Sequence, residues 1–255
     1  MPRLPAQPAT EPSGAARVAA ALVHAYTAAG AVLAYLAVTA AVARDFRASF
    51  ACMFAANIID ATDGLFARRA RVREVLPGVD GARLDDIVDY LTFVFVPMVV
   101  LNVAGDLSGP SALPVTAAVL LSSGYGFAAT DAKTSDHFFT GFPSYWNIGA
   151  LYLHAAGLPP AVNAAILLVF SALIFVRVGY VYPSKMPTLR GLTVALGCVW
   201  GAMIGVMIWS LPAVSRALLV ASLFFPAYYA VLSLALDARR RAGLVSPRGQ
   251  QSPRR

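Results

Sequence analysis

The sequence predicts an all-α, polytopic membrane bundle of about eight spans, on three observations. Hydrophobic residues make up 58% of the 255 and charged residues only 13%, against roughly 25% charged in an average soluble domain. Apolar runs recur from Val18 to Leu236, each near the ~20 residues with which a helix crosses a ~30 Å hydrocarbon core. The two-residue alternation of half-buried strands is not seen in these runs.

The first run, Val18 to Val42, is too long for the apolar region of a cleaved signal, although Ala41-Val42-Ala43 imitates a cleavage site. It is expected to be a retained first helix. Proline, glycine and charge then divide the chain into spans at about 18–43, 48–67, 83–103, 111–130, 145–157, 160–181, 190–210 and 213–236. The fifth is short, so a tilted or re-entrant segment, with seven spans or six and a half-helix, is the alternative count. Residues 1–16 are rich in Pro, Ala and polar residues, and 238–255 form a basic tail broken by Gly, Ser and Pro. Neither composition buries a core, and both are expected to be disordered around a single transmembrane domain at 17–237. Cys52 and Cys198 fall within spans and are expected to act as small buried hydrophobes.

The formal charge is +7, and its placement explains it. With eight spans and the N-terminus inside, 17 of the 20 Lys and Arg face the cytoplasm, leaving only Arg44, Arg47 and Arg216 outside. That excess predicts a multi-pass membrane protein with both termini and the Asp60–Asp89 segment at the cytoplasmic face. No basic patch interleaved with aromatics on a soluble module appears, which argues against a nucleic-acid partner.

Carboxylates are costly at membrane depth and mark function there, yet seven of the thirteen acidic residues lie between Asp60 and Asp89. Asp60 and Asp63 are three residues apart, Asp85 and Asp89 four, so on two helices each pair shares a face. Brought together, four carboxylates make an oxygen-rich pocket suited to two hard divalent ions, Mg²⁺ or Mn²⁺, of the kind that clamp a phosphoryl transfer. Gly64 and Gly81 would let a bulky ligand approach the backbone. Arg68, beside Ala67, would offer its guanidinium to a phosphate oxygen. Asp86 is rotated about 100° from Asp85 and is left out of the site; Glu74 and Asp80 belong to a charged connector. Snorkelling acids balanced by nearby arginines would account for that connector, but poorly for the spacing of the other four.

The line Asp60-x₂-Asp63-Gly64-x₂-Ala67-Arg68, a spacer, then Gly81-x₃-Asp85-x₃-Asp89 resembles the signature of the CDP-alcohol phosphatidyltransferase superfamily. All eight defining positions are present. The usual spacer is eight residues, whereas Arg69 to Asp80 make twelve. The longer spacer looks like the bacterial phosphatidylcholine synthase branch, as do residues 67–77, 90–97, 131–147 and 180–184; the likeness spans about 20–235. The resemblance implies a six-helix catalytic core with extra helices and a homodimer. It implies that Asp60, Asp63, Asp85 and Asp89 ligate the two ions, that Asp89 is also the general base, and that Gly64, Ala67, Arg68 and Gly81 shape the site for CDP-diacylglycerol. Choline would be the acceptor and CMP the leaving group.

Choline is a quaternary ammonium, held best by aromatic faces and a carboxylate. The segment Tyr125 to Asn147 offers both, with Tyr125, Asp131, Tyr145 and Trp146 as candidates; an interfacial aromatic belt is the competing role. His24, His137 and His154 are expected to be structural. Arg177, Lys185 and Arg190 are basic anchors or phosphate contacts. Serine, inositol phosphate or glycerol phosphate remain alternative acceptors. A transporter using intramembrane acids is the alternative of another class, but after Asp136 the next acidic residue is Asp237, with no charged repeat in the second half.

Overall fold

A computed structural model describes residues 12–130, 138–181 and 189–242. Helix α1 (Gly14–Val42) opens on Ser13, whose side chain accepts from the Ala16 amide. Its buried face is Ala20, Thr27, Gly30, Ala34, Ala37 and Ala41, small residues three, four and seven apart on one stripe. In lipid no hydrophobic force joins helices, and small residues that admit close backbone approach do so instead. Helix α2 (Phe46–Arg69), capped by Asp45, lies against that stripe. The Ser49 hydroxyl donates across the contact to the Ala37 carbonyl at 2.8 Å.

The twelve-residue connector is not a plain loop. Arg71 takes a left-handed conformation (φ 47°) and starts α3 (Val72–Val75), whose two valines pack with Ala20 and with Ala67. Asp80 then caps α4 (Gly81–Asp89) by accepting from the amides of Ala82 and Arg83. The helix continues through a π-helical turn, Tyr90–Phe95, into α5 (Val96–Ala104). Pro97 lacks an N–H and its ring crowds the carbonyl four residues back; the widened turn before it absorbs that mismatch.

Beyond these come α6 (Ala112–Ala128), strand β1 (Phe138–Thr140), α7 (Trp146–Ala156), α8 (Pro160–Leu173), strand β2 (Gly179–Val181), α9 (Arg190–Ser210), α10 (Arg216–Ser222) and α11 (Phe224–Arg241). Among the described residues five helical stretches are long and apolar enough to cross a membrane: 14–42, 46–69, 81–104, 190–210 and 216–241. The chain is thus a polytopic helical bundle, and at the fourth, fifth and sixth of the eight expected spans its helices are shorter than a full crossing. Helices α6, α7 and α8 have 17, 11 and 14 residues. The predicted span 160–181 ends early because its last three residues form β2 and pair antiparallel with β1, Phe139 opposite Tyr180. An aromatic and β-branched stretch of this kind suits a strand, and the all-α expectation yields to this two-stranded ribbon.

Helix α1 begins three residues before residue 17, and α11 runs four past 237, into segments expected to be disordered. Cys52 is half-buried and Cys198 exposed rather than both buried. The core gathers Phe50, Met98, Leu101, Trp146, Leu151, Leu167, Ile204 and Met207. At the ends of α5 and α7 the His154 Nδ1 meets an Asp106 carboxylate oxygen at 2.6 Å, and Asn163 donates to the Asp106 backbone carbonyl.

Candidate active site

Helix α4 is placed by close packing. A Cβ on Gly30 of α1 would come within 2.5 Å of Val88 Cγ1, so the glycine lets the α4 backbone approach and turns its acidic face toward α2. Carboxylate oxygens of Asp60, Asp85 and Asp89 lie within 4.8 Å of one another, all three half-buried. Three hard oxygen donors at this spacing fit a divalent cation such as Mg²⁺ or Mn²⁺.

Asp63 is not in that group of three. Its side chain is buried, and its Oδ2 accepts from the Thr27 hydroxyl of α1 at 2.8 Å. Tyr26 and Thr62 share a hydrogen bond at 2.9 Å one step along the same two helices. Sequence spacing places Asp63 on the Asp60 side of the helix; the partner on α1 fixes where its oxygens point.

Gly64 and Arg68 are one turn apart, and a Cβ at Gly64 would come within 3.2 Å of Arg68 Nη1. The guanidinium thus folds back over the glycine, toward the end of α2 where the acids begin. Ala67 faces the α1–α3 contact rather than open space. Gly81 lies against His24, whose Cε1 is 3.0 Å from where a Cβ would stand. The His24 Nε2 is buried without a hydrogen-bond partner.

The carboxylates open on a cleft of about 170 Å³, whose lining includes Asp60, Asp85, Asp86 and Asp89. Phe93, one turn beyond Asp89 on the same helix, joins Phe127, the run Thr140 to Tyr145, Gly126 and Ile174 in that lining. Asp86, set aside on rotation alone, is part of this lining. Of the four candidate acceptor contacts, Tyr145 lines the cleft, its ring 5.9 Å from Phe93. Trp146 is 2% exposed, and its indole N–H donates to Ser123 at 2.7 Å. That is a core residue. Tyr125 packs at a tilt against Phe175, ring centres 5.3 Å apart, outside the cleft lining. Asp131, with His137 and Lys185, lies outside the described residues. Sequence reasoning passed over Phe93, Phe127 and Phe142, which carry most of the aromatic surface. The one available signal was their nearness in sequence to Asp89, Tyr125 and Tyr145.

The site is thus a cluster of carboxylates carried by two helices long and apolar enough to cross a membrane, opening on a cleft that aromatic side chains share. No family model matches the chain. It is 41% identical to a phosphatidylcholine synthase of Legionella pneumophila over 184 residues, covering 71% of this chain and 72% of that one. It is 35% identical to the Pseudomonas aeruginosa phosphatidylcholine synthase over 87% of this chain and 93% of the relative. With that of Bradyrhizobium diazoefficiens it shares 38% over 77% and 74%. The chain belongs to the CDP-alcohol phosphatidyltransferase superfamily, in the family that these synthases form.

Proposed function

We propose that the protein transfers the phosphatidyl group of CDP-diacylglycerol to choline, releasing CMP, at the cytoplasmic face of a bacterial inner membrane. The observation that carries the reading is the acid cluster opening on a cleft that aromatic side chains also line. A quaternary ammonium has no N–H to donate and is attracted to aromatic faces and to negative charge. Phe93, Phe127, Phe142 and Tyr145 offer the first and Asp86 the second. The relatives named above bear the matching activity in their names.

In this reading Asp60, Asp85 and Asp89, with Asp63 behind them, hold two divalent ions, Mg²⁺ or Mn²⁺. Bound there, such ions neutralise the negative charge that builds on phosphate oxygens during transfer. Arg68, folded over Gly64, holds an oxygen of the diphosphate. Gly64 and Gly81 keep the backbone accessible to the nucleotide, and Ala67 sets the packing beneath it. Asp89 takes the proton of the choline hydroxyl as the oxygen bonds to the phosphorus that carries diacylglycerol and the bond to CMP breaks. A carboxylate is a weak base toward an alcohol, so fixed orientation in the cleft supplies much of the acceleration. The protein acts as a homodimer, with both termini cytoplasmic.

Purified protein or membranes supplied with CDP-diacylglycerol and a panel of labelled alcohols test this. Choline is expected to be converted, and serine, inositol phosphate and glycerol phosphate to be poor. Phe142→Leu and Tyr145→Leu are expected to raise the Michaelis constant for choline by about tenfold or more, since a desolvated cation on an aromatic face contributes roughly 2 kcal/mol. The constant for CDP-diacylglycerol should change little. Conversion of another alcohol in preference to choline would overturn the acceptor assignment and leave the carboxylate chemistry standing.

A further inference from the structure

We propose that Asp237, far from the acid cluster in sequence, is a positioning residue that clamps the β1–β2 ribbon onto α11 and thereby sets the aromatic wall of the cleft. Asp237 is 4% exposed. Its Oδ1 accepts from the guanidinium of Arg240 at 2.7 Å, and its Oδ2 from Nε of Arg241 at 2.8 Å. The Gly179 backbone of β2 lies directly against this carboxylate. A Cβ at Gly179 would meet Asp237 Oδ1 at 2.6 Å and Phe138 at 3.1 Å, so strand, acid and facing strand are in mutual contact only because that residue is glycine.

The rest of α11's inner face makes the same attachment. The Val181 amide donates to Ser233 Oγ, and the Tyr229 hydroxyl donates to the Val181 carbonyl at 2.9 Å. Arg241 also donates to the Arg177 carbonyl, and the Arg240 guanidinium sits 4.8 Å over the Phe138 ring of β1. Both ends of β2 are thus tied to α11, Gly179 against Asp237 and Val181 through Ser233 and Tyr229.

The ribbon passes this constraint to the cleft. Thr140, the last residue of β1, pairs with Gly179 and is itself in the cleft lining. Gly141 follows with φ +85°, its amide donating to the Val178 carbonyl; a Cβ there would overlap the Ile174 carbonyl. The Phe142 amide donates to the Leu173 carbonyl, and its ring stacks on Phe170 at 4.8 Å. Residues 140–145 therefore line the same cleft as Asp60, Asp85 and Asp89 at a position set by β2, and the Gly179 end of β2 is set by Asp237. The carboxylates stand on α2 and α4, to which this clamp makes no described hydrogen bond. Its removal is expected to loosen one wall of the cleft and leave the acids in place.

The kinetic half of the test rests on the choline reading; the exchange half does not. Full-length protein in detergent micelles is compared as wild type, Asp237→Ala and Asp237→Asn. Amide hydrogen exchange at 138–145 and 179–181 is expected to accelerate at least tenfold in Asp237→Ala, with α2 and α4 unchanged. Asp237→Asn keeps the side-chain volume against Gly179 and one acceptor oxygen for the arginines, and should fall between. The Michaelis constant for choline should rise at least tenfold while kcat falls less than threefold. Unchanged exchange in the ribbon would overturn the proposal, as would a loss of kcat in proportion to lost folded protein with both Michaelis constants intact. If Asp237→Ala does not fold, Ser233→Ala, which removes the acceptor for the Val181 amide, should give a smaller change of the same sign, and no change would overturn the clamp. A wild type that ignores choline overturns the acceptor reading, and the exchange comparison then decides the clamp alone.

Discussion

Asp89 ends α4 at the start of the π turn, so its carboxylate is carried by a helix whose hydrogen-bond pattern changes at the next residue. Such turns concentrate at functional sites. Asp89→Asn keeps the shape and removes both the charge and the base. Activity is expected to fall by more than tenfold, a barrier rise above about 1.4 kcal/mol, with unchanged insertion and folding; more than a tenth of wild-type activity would take Asp89 out of the chemistry. Asp86→Asn is the companion measurement. It lines the cleft without joining the group of three, so it should change the Michaelis constant for the acceptor more than kcat. The fourth motif acid behaves differently again. Thr27→Val removes the hydroxyl that donates to buried Asp63, and leaving that carboxylate without its α1 partner should cost roughly 1–3 kcal/mol, measured as lowered thermal stability in detergent.

Helix α4 owes its place to a missing side chain on α1. Gly30→Ala puts a methyl within 2.5 Å of Val88 Cγ1, and overpacking of this kind costs about 1–3 kcal/mol. Loss of both stability and turnover is expected, because Asp85 and Asp89 ride on the displaced helix. Val88→Ala in the same chain should restore much of both; failure of the double variant to recover activity above Gly30→Ala would show that the helix is positioned otherwise. The connector before α4 shows where local reasoning stopped. Its charges describe a loop, but Val72 and Val75 find Ala20 and Ala67, and the twelve residues fold around a one-turn helix. Asp80, grouped in the sequence with those loop charges, is the cap of α4.

Across the whole molecule the acids are one feature of an otherwise apolar chain, and their ligand set is oxygen only. Activity is expected to vanish with excess chelator and to return with Mn²⁺ or Mg²⁺, whereas Zn²⁺ should substitute poorly, since the cluster has no His or Cys. Full activity in excess chelator would exclude a metal-dependent transfer. The asymmetry of Lys and Arg makes a further prediction. Cysteines placed at Arg44 and Arg216 should react with an impermeant reagent added outside intact cells, and those at Arg69 and Arg83 should not; the reverse labelling would invert the topology.

The sequence alone determined the bundle, its long spans and the spacing of the acid motif, because these depend on local facts. Hydropathy over twenty residues decides what enters a membrane, and spacing of three or four decides what shares a helical face. Only the tertiary structure decided which aromatics face the acids. Trp146 and Tyr145 are neighbours with similar chemistry, yet one is sealed against Ser123 in the core and the other lines the cleft. The same holds for Asp63, drawn to Thr27 from thirty-six residues away, and for the end of α8. There an apolar run that suits a helix becomes a strand because β1 and α11 supply its hydrogen bonds. A contact between distant segments carries no local period, and what it determines is settled by which backbone and side-chain partners the fold brings within reach.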